Sequence, residues 1–177
     1  PWHTLGSDLF YLNQSWYLLI SDYYSKFPFI RKLYSLSART VVAAFKTVLE
    51  EQGIPVKLVC DNGKQFDSYE FRKFAAEYGF EIITSSPYYP RGHGLIERHV
   101  QTVKTVMSKC QQDGSDLSMA LLILRTTPLD QKLPSPAELL NNRIYKAHLP
   151  VRIPPPLSHE STQERFAERH QSSADYY

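Results

Sequence analysis

Leu58-Val59-Cys60-Asp61-Asn62-Gly63-Lys64-Gln65-Phe66 is a short apolar run that ends in a carboxylate and breaks at once into an Asn-Gly turn. Read as a buried strand, residues 56–60 deliver Asp61 to the strand's carboxyl end, the edge at which open α/β sheets gather their ligands. Asp-Asn-Gly alone is ordinary turn chemistry, because Asp and Asn favour turns and Gly takes positive φ without strain. Its weight comes from what stands on either side.

Downstream, Asp67 or Ser68 opens a helix whose Phe71, Phe74, Ala75 and Tyr78 face inward, Gly79 ends it, and residues 80–85 read as a strand. Upstream, Ser37 caps a helix running to about Gln52, with Val41, Val42, Phe45, Val48 and Leu49 on one stripe and Gly53 at its end. Strand alternating with helix calls for parallel pairing by right-handed crossover. Further back, residues 2–12, 16–24 and 27–34 read as three strands of an antiparallel meander, with Asn13-Gln14-Ser15 as the first turn and Pro28 near the start of the third strand. Tyr17-Leu18-Leu19-Ile20 is apolar without alternation, which fits a strand covered on both faces. The expected fold is therefore α/β: a mixed five-stranded sheet, three strands antiparallel plus two parallel, flanked by helices.

Residues 86–94 carry two Pro and two Gly and read as an irregular, mobile loop. A long helix is expected from Leu95 to about Gln112. Ile96, Val100, Val103, Met107 and Cys110 form its buried stripe, and Glu97, Gln101, Lys104 and Ser108 a second stripe roughly a quarter-turn away. Two shorter helices, residues 117–124 and 136–142, follow around a Thr126-Thr127-Pro128 break. The chain divides into a core over residues 1–150 and a Pro-rich linker with a polar tail over 151–177, opened by Pro154-Pro155-Pro156.

At 177 residues and 42% hydrophobic, the chain is long enough for one ordinary globular domain with a sizeable core. The net charge of +2 does not announce nucleic acid, so any such role rests on where the charges sit. No apolar run approaches a membrane span, no signal sequence opens the chain, and a first residue of Pro marks it as part of something longer. Two cysteines, Cys60 and Cys110, make neither a disulfide framework nor a zinc set, which fits a reducing intracellular home.

Three acidic residues occupy distinctive settings. Asp8 lies mid-strand among Leu5, Leu9 and Phe10, where a carboxylate is costly to bury without a partner or a metal. Asp61 ends its strand, and Glu97 sits in the first turn of the long helix. With 18 acidic residues, about one pair at the 36-residue offset of Asp61 and Glu97 arises by chance, so context rather than spacing carries the case. If the two Asp-bearing strands are neighbours and the helix packs across them, all three converge. Convergent carboxylates repel and need a cation, and Mg²⁺ takes one or two carboxylates with waters and phosphate oxygens. Two such ions about 4 Å apart activate an attacking oxygen and stabilise the leaving one in displacement at phosphorus.

"GSDLF" with Asp8, "CDNGKQF" with Asp61 and "PYYPRGHGLIERHVQTVK" with Glu97 resemble the catalytic core of retroviral-type integrases, closest to those of gypsy-class LTR retrotransposons. "RTTP" and "SPAELLNNR" resemble the segment that closes such cores. The resemblance covers residues 2–150. It implies an RNase H-like fold, Asp8, Asp61 and Glu97 as catalytic residues and metal ligands, and two Mg²⁺ or Mn²⁺ ions when DNA is bound. The implied reactions are trimming of element 3′ ends with water and transfer of those ends, through their 3′-hydroxyls, into target DNA. Implied too are double-stranded DNA as partner, a homodimer or higher assembly, a nuclear location, no small-molecule substrate, and flanking domains without which only partial reactions proceed. Gln101 and Lys104 are implied to reach the donor DNA end, Tyr88 and His93 to sit against it, and Arg91 and Lys64 to contact DNA. Arg91, Arg98, Lys104 and Lys109 outnumber the acids around them. His93 and the Pro90-Arg91 pair depart from the usual family residues, which bears on DNA-end specificity rather than on the metal site.

Each choice has a plainer counterpart. Asp8 serves equally as a carboxylate at a solvated edge, Glu97 as a complement to the positive end of its helix, Lys104 as a surface lysine, and His93 as a loop residue, since hard Mg²⁺ prefers oxygen. Asp22 reads as structural. Besides an active integrase, two other classes fit: a host-retained, non-catalytic DNA- or protein-binding module, and a ribonuclease H, for whose fourth acid only Glu138 offers a stand-in.

Overall fold

Asn13 and Gln14 both adopt positive φ, 51° and 58°, which gives the two-residue turn whose twist matches a β-hairpin. It joins β1 (Thr4–Leu12) to β2 (Ser15–Asp22), and β3 (Pro28–Leu33) extends the meander. In this computed structural model residues 1–84, 90–130 and 133–147 and Glu164 are described, apart from the side chains of residues 90–95. The division at residue 150, the tail and Tyr88 lie outside the described residues, as do the side chains of Arg91 and His93.

Ser37 caps α1 (Ala38–Gln52) by accepting from the Thr40 N–H, and Gly53 closes it. After β4 (Lys57–Cys60), Ser68 rather than Asp67 caps α2 (Tyr69–Tyr78), which ends at left-handed Gly79 before β5 (Glu81–Thr84). The strand order is β3-β2-β1-β4-β5, with β4 parallel to β1 and β5 parallel to β4, so the mixed five-stranded sheet expected from the sequence is the one formed.

Two apolar layers cover the sheet. Leu5, Leu18, Ile20, Leu58 and Cys60 join Phe45, Phe66, Phe71 and Phe74 beneath α1 and α2, whereas Phe10 and Leu19 join Ile96, Val100, Val103 and Met107 on the other face. Leu18 and Ile20 thus face one way and Leu19 the other, which is why that run needs no polar alternation.

Helix α3 (Pro90–Asp113) starts five residues earlier than its apolar stripe suggests. Pro90 is its first residue, where a missing N–H and a fixed φ suit a helix start, and the helix runs on through Gly92 and Gly94. The glycine-bearing stretch expected to be loop is helix from Pro90 onward, and Glu97 stands in the second turn rather than the first. Next come α4 (Leu117–Thr126), capped by Asp116, and α5 (Pro136–Asn141), capped by Ser135. No helix among the described residues is long and apolar enough to cross a membrane.

Candidate carboxylate site

Along the parallel β1–β4 pair, Thr4 lies opposite Lys57, Leu5 opposite Leu58 and Gly6 opposite Val59. Continued two residues beyond this ladder, the same register would set Asp8 level with Asp61, which lies one residue past β4. Asp8 is also the cross-strand partner of Leu19, which belongs to the layer under α3, whereas Leu58 and Cys60 face the opposite layer. By strand alternation Asp8 faces α3, whereas Asp61 lies just past the end of β4.

Each aspartate is oriented by nearby backbone. The Leu9 N–H donates to Asp8 Oδ1 at 2.7 Å, and the Gly63 N–H donates to Asp61 Oδ1 at 3.0 Å. A Cβ at residue 63 would stand 2.9 Å from that Asp61 oxygen, so the turn that orients the carboxylate leaves little room for a side chain there. Asp61 falls one residue beyond β4, half-buried, and Lys64 in the turn is exposed.

Helix α3 crosses this part of the sheet in a defined orientation. Ile96 rests on Gly6, His99 Nδ1 is hydrogen-bonded to Ser21 Oγ at 2.8 Å, and Lys104 Nζ stands 5.5 Å from the Phe10 ring centre. At about 100° per residue, His99 lies about 60° to one side of Ile96, and Glu97, Lys104 and Gln101 lie about 80–140° to the other. Since His99 points to β2, the polar stripe points to the β4 side, where Asp61 ends its strand. The buried stripe of Ile96, Val100, Val103, Met107 and Cys110 is as the periodicity indicates. Gln101 and Glu97 are exposed, while Lys104 is half-buried over an aromatic ring and is no plain surface lysine. Arg98 and Lys109 fall about 200° and 220° from Ile96, on the outer face, so the basic patch read along the sequence is divided between two sides of the helix.

Among the described residues no group of three or more His, Cys, Asp or Glu side chains is gathered as a metal ion would require. What the fold supplies is the backbone placement: Asp8 on β1, Asp61 just past the end of neighbouring β4, and the helix that bears Glu97 packed against β1. Asp8, Asp61 and Glu97 are thus not gathered in this structure, but their carboxylate oxygens are donors that suit a hard divalent cation rather than zinc or copper. These residues therefore fit Mg²⁺ or Mn²⁺ chemically.

Other acidic residues are committed elsewhere. Asp22, fully buried, accepts from the Trp2 N–H at 3.0 Å and from the Ser25 N–H and hydroxyl at 2.8 and 2.7 Å, and is structural as read from the sequence. Glu138 accepts from the Ser135 N–H and hydroxyl in a capping box, which commits it to a helix terminus and removes it as the fourth acid of a ribonuclease H.

Three buried groups on the central strands and α3 are neutral near pH 7. Burial, helped by neighbouring Asp61, pushes the Cys60 thiol up to about 12, and burial pushes Tyr23 to about 12 with Cys60 contributing. Cys60 is thus no thiolate nucleophile. Burial, with the Lys26 charge adding to it, lowers His99 to about 4. His99, Ser21 and Gly6 escaped the sequence reading. His99 is three residues from Ile96 and belongs to the edge of the buried stripe, a signal available in the helical spacing, but its partner on β2 is 78 residues away.

A family model described as "Integrase core domain" matches residues 2–90, which includes Asp8 and Asp61 and stops before Glu97. An uncharacterized protein of Caenorhabditis elegans is 32% identical over 133 residues, 72% of this chain and 10% of that protein. The Gag-Pro-Pol polyprotein of mouse mammary tumor virus is 28% identical over 123 residues, 66% of this chain and 7% of the polyprotein. The chain thus spans a tenth or less of these two relatives. Among solved structures, the catalytic core domain of BIV integrase superposes with a TM-score of 0.69 at 20% identity, covering 79% of this chain and 94% of that one. The HTLV-2 integrase catalytic core domain in complex with magnesium, in a trimeric form, gives 0.64 at 20% identity, covering 79% and 97%. The fold is that of these catalytic cores, RNase H-like.

Proposed function

Since this chain belongs to the integrase core domain family, we propose that it is a metal-dependent polynucleotidyl transferase that trims the 3′ ends of element DNA and joins them to target DNA. The observation that carries this reading is the parallel β1–β4 register, which, continued two residues, would set Asp8 beside Asp61 at the end of β4. Asp8 and Asp61 would hold the divalent cation, Mg²⁺ or Mn²⁺, with Glu97 completing the set from α3. When bound, the metal supplies Lewis acidity at phosphorus and lowers the pKa of the attacking hydroxyl. The chain's own part is positional. The Leu9 and Gly63 N–H groups each fix one aspartate oxygen, and Gln101 and Lys104 extend the Glu97 face toward the phosphates of a DNA end. Arg91, His93, Tyr88 and Lys64 belong to the same proposed DNA surface. The motif likeness to gypsy-class elements, and work on nuclear DNA, are parts of this proposal.

Self-association is supported by α4. Met119, Leu121, Leu122, Ile123 and Leu124 place apolar side chains around most of this helix, yet each stays only half-buried. A helix apolar on nearly every side is ordinarily enclosed, and a second copy of the chain would enclose it.

The test is strand cleavage and joining on labelled duplex DNA with Mg²⁺ or Mn²⁺. Asp61→Asn and Glu97→Gln are expected to abolish both reactions with folding intact. Activity that survives both substitutions ends the assignment. DNA binding without cleavage or joining in the unsubstituted chain favours a non-catalytic module instead.

A further inference from the structure

Gly6 pairs with Ser21 across β1 and β2, two residue pairs below the Asp8–Leu19 pair. On that row α3 is seated. A Cβ at Gly6 would meet the Ile96 Cδ1 at 3.1 Å and a Tyr23 ring carbon at 2.7 Å, so the missing side chain is what lets the helix and the tyrosine approach the strand. Beside this seat, Ser21 is fully buried and its hydroxyl is bonded to His99 Nδ1 at 2.8 Å, joining β2 to α3 across the layer.

Among the described residues, the other contacts of α3 with the sheet are Lys104 over the Phe10 ring and the apolar packing of Ile96, Val100, Val103 and Met107 against Phe10 and Leu19. Apolar contacts are non-directional and resist a small roll of the helix less sharply than a hydrogen bond, which weakens steeply with misalignment. A roll of about 20° moves a carboxylate carried about 6 Å from the helix axis by about 2 Å. Metal ligation tolerates about 0.2 Å, and about 1 Å of misplacement at a reacting centre costs on the order of 100-fold in rate.

We infer that the Ser21–His99 bond, seated beside Gly6, is the positioning device that sets the roll of α3 and so directs Glu97, Gln101 and Lys104 toward the β4 side of the sheet. His99 points to β2, on the far side of Ile96 from Glu97, and acts through the helix rather than on DNA or metal. The inference rests on the proposed transferase reaction for its consequence, but not for its structural content.

Its test uses the 177-residue chain carrying Ser21→Ala, Ser21→Thr, His99→Leu and the Ser21→Ala/His99→Leu pair. Amide hydrogen exchange across residues 96–104, in metal-free buffer, is expected to quicken about tenfold in Ser21→Ala and His99→Leu, to return toward the unsubstituted rate in Ser21→Thr, and to be no faster in the pair than in His99→Leu. In the joining assay the same two variants are expected to lose about tenfold in kcat with the KM for DNA unchanged, again restored by Ser21→Thr. Unchanged exchange in both single variants overturns the latch. Quickened exchange with unchanged kcat, in a chain whose Asp61→Asn variant is dead, overturns its role in aiming Glu97. Should the unsubstituted chain's activity prove independent of Asp61 and Glu97, the functional reading fails, and exchange alone decides whether the latch stands.

Discussion

Lowering the pH should unfasten α3 through one side chain. His99 is held neutral in the folded chain, its pKa lowered from 6.5 to about 4 by burial first and by the nearby Lys26 charge second. In the unfolded chain it protonates near 6.5, so between 6.5 and 4 the unfolded state binds the extra proton. Stability from this residue is therefore full above pH 6.5 and drains away as pH falls toward 4. A shift of about 2.5 pKa units corresponds to about 3 kcal/mol, of which about 2 is lost by pH 5. The assay is urea unfolding at pH 7.5, 6, 5 and 4 for the unsubstituted chain and for His99→Gln, which has no titrating ring. All other groups titrate in both, so the difference isolates His99. The gap between the two proteins should change by about 2 kcal/mol between pH 7.5 and pH 5, the histidine chain losing more. Parallel curves would refute the picture of a buried, uncharged imidazole clamped on Ser21.

Arg125 donates twice to the Pro28 carbonyl, at 2.9 and 3.1 Å, and its guanidinium stands 4.8 Å from the Phe27 ring centre, so Arg125→Ala should cost about 2–3 kcal/mol in denaturant unfolding. Arg125→Lys should recover only part of that, because a point charge cannot both stack and donate as a fork. Gln14 holds a φ of 58° in the hairpin turn, and Gln14→Gly should raise stability by about 0.5 kcal/mol, visible as an increase in Tm; a decrease would show that the turn is held by the glutamine side chain. Lys104→Glu should lower DNA affinity and flatten its salt dependence by about one counterion, while costing about 0.5–1 kcal/mol of stability through loss of the Phe10 contact. Unaltered DNA affinity across a salt titration would remove Lys104 from the interface.

The sequence alone determined what is written in local chemistry. Ser37 and Ser68 could be read as caps because a cap bonds three residues ahead, and the α3 stripe because helical period repeats within a few residues. The meander and the two parallel strands followed from turn residues and from strand alternating with helix, and the order of motifs named the family. Even so, local signals failed where context overrode them. Gly92 and Gly94 read as loop, but Pro90 starts a helix that carries them along. Only tertiary structure decided that β1, with Asp8, pairs in parallel with β4, which leads to Asp61, that Asp8 faces α3, and that the helix turns Glu97 away from the His99 side. Those facts depend on strand register and helix roll, which are set by groups far apart in the chain: Gly6 beneath Ile96, and Ser21 bonded to His99 across 78 residues. Periodicity says which face of an element is apolar, but where that face comes to rest is fixed by the shape and directional bonds of what it meets.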